Sequence, residues 1–143
     1  MQEELISFET AKLAKKAGFN IPVKYGVFGQ KMKLTVDMGH SKYPEQRDND
    51  WNKKPRKSFS IPTQALLQKW LREEHGIYIE ILTDRTMEPK FCFRFFKYIK
   101  DFEWKVDFSF TGGGGFCSWL YKTYEEALEA GLQQVLELLT NKK

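Results

Sequence analysis

The end of the chain carries the pattern that constrains the fold most, an amphipathic helix with a defined start. Thr123 and Glu126 have capping-box spacing, in which each side chain accepts a hydrogen bond from the other residue's backbone N–H. Residues with helical spacing then form one continuous stripe, which comprises Leu128, Gly131, Leu132, Val135, Leu136 and Leu139. A helix with such a face must bury it, so the chain needs a packed core.

Two further segments predict helices. The first runs from Glu3 to about Ala17 and ends at Gly18, where a left-handed residue can close a helix. The second follows Pro62 and ends at Gly76, and its apolar face comprises Leu66, Leu67, Trp70 and Leu71. Together with the last segment, these patterns predict three helices.

Alternating apolar and polar residues predict the strands. The alternation occurs at Lys31–Met38, Ile77–Leu82, Phe91–Tyr98, Trp104–Phe110 and Phe116–Tyr121. Strands follow one another between the second and third helices instead of alternating with helices. We therefore expect an α+β domain: an antiparallel meander of about four to five strands with three helices packed mainly on one face. A length of 143 residues suits a single domain spanning residues 1–143.

The run Phe110–Phe116, "FTGGGGF", could bind phosphate or turn a hairpin. A phosphate-binding loop joins a strand to a helix N-terminus, so that backbone amides and the helix dipole meet the anion. This run joins two strand patterns and lacks the lysine that follows the glycines of a phosphate loop. The spacing therefore favours a hairpin tip.

The segment from Gly39 to Ser58 is rich in charged residues, Asn and Pro, and predicts a long surface loop. Because Trp51 lies among lysines and arginine there, we expect its ring to be exposed and to bind a partner. The predicted partner-binding residues, which also include part of the meander, are Trp51, Lys53, Lys54, Arg56, Lys57, Arg94, Tyr98 and Trp119. The net charge of +4 permits an anionic partner, and the sequence leaves nucleic acid and protein open.

The sequence favours a noncatalytic role, and neither a cofactor site nor a metal site is predicted. Cys92 and Cys117 lie between aromatic residues and are expected to be reduced, packed thiols. Since His75 precedes Gly76, it is expected either to cap carbonyls at the end of the second helix or to interact with the helix dipole there. The enzyme alternative would place His40 near loop carboxylates, namely Asp37, Glu45, Asp48 and Asp50. A structural oligomer paired through an edge strand or a helix face is a third alternative.

The first residues lack the basic start and apolar run of a signal peptide, and no stretch approaches the roughly 20 apolar residues of a membrane span. We therefore expect a cytoplasmic protein without a membrane partner.

Three phrases carry a resemblance: "ISFETAKLAKKAGF", "PTQALLQKWLREEHGIYIEI" and "TYEEALEAGLQQVLELL". In them the chain resembles a family of small uncharacterised proteins associated with Bacteroidetes genomes and their phages or mobile elements. The resemblance covers both ends and the middle helix, and it brings no activity, catalytic residue or cofactor. It implies a small intracellular accessory protein that acts by binding nucleic acid or a host protein.

Overall fold

A computed structural model describes residues 2–28, 34–36, 49–54, 57–84, 90–99, 103–106 and 121–141. Its three α-helices are α1 (Phe8–Ala17), α2 (Gln64–His75) and α3 (Tyr124–Asn141). Its strands are β1 (Tyr25–Phe28), β2 (Leu34–Val36), β3 (Ser58–Ser60), β4 (Ile77–Asp84), β5 (Lys90–Ile99) and β6 (Glu103–Val106). A short 3₁₀ helix covers Trp51–Lys53. The predicted α+β class with three helices is confirmed.

The helix ends follow from local capping. Gly18 and Gly76 close α1 and α2 with φ angles of 95° and 64°, as their positions predicted. Helix α1 begins later than expected, at Phe8, because Ser7 caps it and the residues before it pair with the start of α2. In that pairing the N–H of Ile6 bonds to the carbonyl of Pro62 at 3.1 Å.

The capping box of α3 is confirmed in one half. The N–H of Glu126 donates to Thr123 Oγ1 at 3.1 Å. The carboxylate of Glu126 accepts instead from the N–H of Lys122, at 3.3 Å, so its predicted bond to the Thr123 amide is wrong. Both arrangements satisfy backbone donors at the start of the helix.

The strands form two antiparallel sheets of three, with the orders β2-β1-β3 and β4-β5-β6. Val27 lies opposite Leu34 on one side and Phe59 on the other. We call β4-β5-β6 the larger sheet, because its strands are longer, and β2-β1-β3 the small sheet. In the larger sheet Ile79 lies opposite Phe95. The single sheet of four to five strands is not confirmed in the described part of the chain, where Tyr121 adds an isolated bridge to Phe91.

The core lies where α3 packs against α1, α2 and the larger sheet. The predicted stripe of α3 is buried as far as Leu136, with Leu132, Val135 and Leu136 fully inaccessible, whereas Leu139 is partly buried. Phe95 is 5% exposed and shares its face of β5 with Phe93, which confirms that one aromatic row of this strand belongs to the core. One hydrophobic cluster joins the helices to both sheets.

Trp51 is 1% exposed, so the expectation of an exposed ring is wrong. Its indole lies on Gly26 of β1, where an added Cβ would come within 2.0 Å of Trp51 Cδ2. The indole Nε1–H donates to the carbonyl of Val23 at 3.2 Å. Trp51 is buried because the missing side chain of Gly26 leaves room for its ring and Val23 satisfies its polar atom.

The predicted loop at 39–58 is therefore ordered in part. Asn49 pairs with Val23 through two backbone hydrogen bonds of 2.9 and 3.0 Å, and the 3₁₀ helix and the start of β3 follow. Residues 39–48 and 55–56 of this segment, like the glycine run at 110–116, lie outside the described residues.

Cys92 is 7% exposed, in keeping with the expected packing. It is disulfide-bonded, however, so the expectation of a reduced thiol is wrong. Cys117, the other cysteine of the sequence, lies outside the described residues. Among the helices of the described part, none is long and apolar enough to cross a bilayer.

Candidate functional site

The three predicted binding lysines lie at one end of the small sheet, β2-β1-β3. Phe28, the last residue of β1, lies opposite Ser58, the first residue of β3. Lys57 directly precedes Ser58, while Lys53 and Lys54 end the 3₁₀ helix that packs over the same strands. We call Phe28, Lys53, Lys54 and Lys57 the basic corner.

The basic corner combines an exposed ring with a cation. Phe28 is 42% exposed, which makes it one of the large apolar side chains on the surface. The ammonium of Lys54 lies 5.9 Å from the centroid of the Phe28 ring and 4.2 Å from that of Trp51. Ammonium groups at such distances are attracted by the negative faces of aromatic rings. The buried tryptophan thus helps to position a cation at the surface.

Trp51 also supports Phe28 from below. The two ring centroids are 5.8 Å apart and the ring planes meet at 84°, an edge-to-face contact. Because the rings are not parallel, Trp51 does not stack on Phe28. The ring of Phe28 is therefore held by the core and still reaches solvent.

Hydrogen bonds fix the 3₁₀ helix beneath the lysines. The amide of Asn52 donates to the carbonyl of Phe19 at 2.8 Å and accepts from the N–H of Ser60 at 3.0 Å. The hydroxyl of Ser58 donates to the carbonyl of Trp51 at 2.9 Å. A segment tied at several points loses little conformational entropy when a partner binds.

The charge of the basic corner is positive overall. Lys53 Nζ lies 3.6 Å from Asp50 Oδ2, and the lysine side chain is 79% exposed. An ion pair at this distance and exposure is weak. Lys57 is also exposed, whereas Lys54 is half-buried.

The remaining predicted residues do not join the corner. Arg94 lies in the other sheet, where its Nε is 2.6 Å from Glu80 Oε2 of the neighbouring strand. Tyr98 lies opposite Trp104 in the same sheet. Arg56 and Trp119 lie outside the described residues.

The groups of the enzyme alternative fall mostly beyond the described part of the chain: His40, Asp37, Glu45 and Asp48 lie outside it. Asp50 is described, and its Oδ1 caps the 3₁₀ helix by accepting from the N–H of Asn52 at 3.2 Å. Among the described residues, no cluster of His, Cys, Asp and Glu could hold a metal ion.

His75 is the last residue of α2, and its ring packs edge-on against Trp70 with centroids 4.7 Å apart. The N–H of Gly76, not the histidine, bonds to the carbonyl of Arg72, at 3.1 Å. Burial lowers the pKa of His75 below 6.5, and this desolvation outweighs the opposing effect of Glu74, while Lys97 also lowers it. The predicted capping of carbonyls by His75 is therefore wrong, because the ring is packed and the backbone makes the cap, whereas its interaction with the helix dipole stays a prediction.

A second surface, which we call the glutamate cleft, lies where the three helices begin. It is an open cleft of about 770 Å³ whose acidic lining comprises Glu4, Glu125, Glu126 and Glu129. The Glu129 carboxylate accepts from the N–H of Ser7 at 2.8 Å, from Thr10 Oγ1, and from Gln64 Nε2 at 3.0 Å.

Those bonds join the starts of α1 and α2 to α3. Helix N-termini carry unsatisfied N–H groups and a partial positive charge, so carboxylates are stabilising there. Glu129 thus has a structural role. Sequence reasoning did not single it out, because its partners lie far away in the chain.

Phe28 was not among the predicted binding residues. Strand β1, which ends at Phe28, has only four residues and shows no clear alternation of apolar and polar side chains. The available signal was the two-residue spacing of Gly26 and Phe28, which places both on one face of a strand.

Comparison of the chain with protein-family models, with curated proteins and with solved structures gives no match.

Proposed function

We propose that the protein is a small noncatalytic binding module that holds an anionic partner at the basic corner. The observation that carries this proposal is the exposed Phe28 ring with the Lys54 ammonium beside it. Ammonium groups attract anions, and a supported ring adds apolar contact. This combination suits binding rather than bond cleavage.

The fixed backbone of the 3₁₀ helix supports the same proposal. The hydrogen bonds of Asn52 to Phe19 and Ser60 hold the backbone that carries Lys53 and Lys54 before any partner arrives. Preorganised groups bind with a smaller loss of entropy. By its resemblance in sequence, we further propose that the protein is an intracellular accessory protein of a Bacteroidetes genome or of its phages or mobile elements.

Neutralising the corner tests the proposal. The variant Lys53→Gln/Lys54→Gln/Lys57→Gln removes the three positive charges of the corner and leaves its aromatic rings in place. We expect its affinity for a fluorescent heparin oligosaccharide at low salt to fall by about tenfold or more, since each lost charge weakens attraction to a polyanion. Fluorescence anisotropy measures this affinity.

The matched control removes the same charge elsewhere, in Lys69→Gln/Lys97→Gln/Lys122→Gln. These lysines lie in α2, in β5 and before α3, and all are outside the corner. We expect the control to lose much less affinity. Equal losses in the two triple variants would mean that net charge, and not the corner, attracts the anion.

A further inference from the structure

We propose that the anionic partner is a single-stranded nucleic acid, with one base stacked on Phe28 and its phosphates held by Lys54 and Lys57. This inference rests on the proposed function, and it adds the class of partner. Proteins that bind single strands combine cations that hold the backbone with aromatic rings that stack on bases. The basic corner has both groups side by side.

The position of Lys54 favours a nucleotide over a simple anion. Its ammonium lies 5.9 Å from the Phe28 centroid, so a base that contacts the ring brings its own phosphate close to that ammonium. An acidic peptide would also meet the lysines but would supply no flat ring for Phe28. The exposed Phe28 ring can therefore contribute to the binding of a nucleotide, whereas a carboxylate alone would not use it.

The way in which Trp51 holds the Phe28 ring favours binding of a single-stranded nucleic acid over binding of a duplex. Edge-to-face contact with Trp51, with ring planes at 84°, anchors Phe28 without covering it in a parallel stack. Bases in a duplex are already stacked on one another and must be unpaired before they can reach a protein ring. A single strand offers its bases without that cost.

The charge distribution of the protein attracts a single-stranded nucleic acid to the basic corner. Helix α3 carries Glu125, Glu126, Glu129 and Glu137 and no lysine or arginine. A polyanion is repelled from that helix and attracted to the lysines of the basic corner.

An abasic strand provides the decisive probe. It has the phosphates of an ordinary single strand but no bases to stack. We expect a labelled single-stranded DNA or RNA of about 12 nucleotides to bind at least about fivefold more tightly than its abasic counterpart, since stacking on one ring contributes that factor or more. The duplex of the same sequence should bind more weakly than the single strand.

The variant Phe28→Leu keeps apolar bulk and removes the aromatic face. We expect the ratio of ordinary-strand to abasic-strand affinity to fall towards one in this variant. Phe28→Ala should give the same result, and circular dichroism verifies that each variant is folded. Tyr124→Ala removes a ring that is 46% exposed beside the glutamate cleft, and it should keep the wild-type ratio.

The outcomes separate this inference from the proposed function. Equal binding of ordinary and abasic strands, or an unchanged ratio in Phe28→Leu, would overturn the nucleic-acid inference. Tighter binding of polyglutamate than of the single strand would overturn it in favour of an acidic protein. In each case the proposed function stands if heparin binding still depends on the corner lysines, and it fails if that dependence is absent.

Discussion

At the scale of single residues, the contact between Gly26 and Trp51 decides how the small sheet is covered. The indole occupies the space that a side chain at position 26 would take, and its N–H is satisfied by Val23. The same indole positions Phe28 and Lys54. One packing contact therefore supports both the core and the proposed binding surface.

We predict that Gly26→Ala destabilises the protein by at least about 2 kcal/mol, because overpacking at a buried site forces displacement of well-packed atoms. The new Cβ would lie 2.0 Å from Trp51 Cδ2, so the indole or the strand must move. The free energy of unfolding in urea, followed by circular dichroism, measures the loss.

Gly131→Ala is the matched control. There the added Cβ would lie 3.1 Å from Phe93 Cγ, a tight contact that a small adjustment relieves. The gain in helix propensity of about 1 kcal/mol offsets part of that cost. A loss at Gly26 no larger than the loss at Gly131 would contradict the proposed role of the glycine–tryptophan contact.

His75 gives a prediction about pH. Burial lowers its pKa below 6.5 in the folded protein, so the unfolded chain binds the proton more readily. The stabilising effect of the neutral ring is therefore present above pH 6.5 and is lost as the pH falls from 6.5 through the lowered pKa. We expect the wild-type protein to lose stability relative to His75→Gln over that interval.

An NMR titration of the imidazole protons checks this directly. The midpoint for His75 should lie below 6.5, in keeping with the buried Nε2 atom and its contact with Trp70. A midpoint at or above 6.5 would show that attraction to Glu74 exceeds the desolvation of the ring.

At the scale of helices and strands, the starts of α1 and α2 are tied to α3 by one side chain. Glu129 accepts from Ser7, Thr10 and Gln64, and both Thr10 and Gln64 are buried. Removing the carboxylate would take away an acceptor shared by three donors, which is costly at buried sites even though Gln64 Nε2 keeps its bond to the carbonyl of Glu125 at 3.1 Å.

We predict that Glu129→Ala lowers the free energy of unfolding by about 2–4 kcal/mol, since several hydrogen bonds to a charged acceptor are lost together. Glu137→Ala, on an exposed position of the same helix, should change it by less than about 0.5 kcal/mol. Urea denaturation of both variants measures the difference. Similar, small changes in the free energy of unfolding of both variants would mean that Glu129 does not join the helices.

The helices could be predicted from the sequence more fully than the pairing of the strands. The helices were predictable because their signals are local: the capping threonine of α3, the glycines that close α1 and α2, and the apolar stripes of α2 and α3. The pairing of β1 with β3 was not predictable, because strands of four and three residues are too short to display a clear alternation.

The charged residues of the candidate site could be predicted from the sequence, but their arrangement in space could not. The cluster of lysines after position 52 is visible in the sequence and is the basis of the proposal. The burial of Trp51 is not visible there, since it depends on a missing side chain at Gly26 in a distant strand. The importance of Phe28 follows from that same contact and was hidden for the same reason.

At the scale of the whole molecule, opposite charges gather on different elements. The glutamate cleft lies where the three helices begin, whereas the basic corner lies at the end of the small sheet. Such a distribution orients an approaching polyanion before contact, and salt weakens the effect. The net charge of +4 is therefore less informative than its arrangement.

The measurement that tests the account most directly is a two-dimensional amide NMR titration of the protein with a heparin oligosaccharide at low salt. We expect the shifted amides to cluster at Phe28, from Asn52 to Lys54, and from Lys57 to Phe59, while those of α3 stay in place. Shifts centred on Arg94 and its strand neighbours, or an unchanged spectrum at saturating oligosaccharide, would contradict the claim that the basic corner binds an anionic partner.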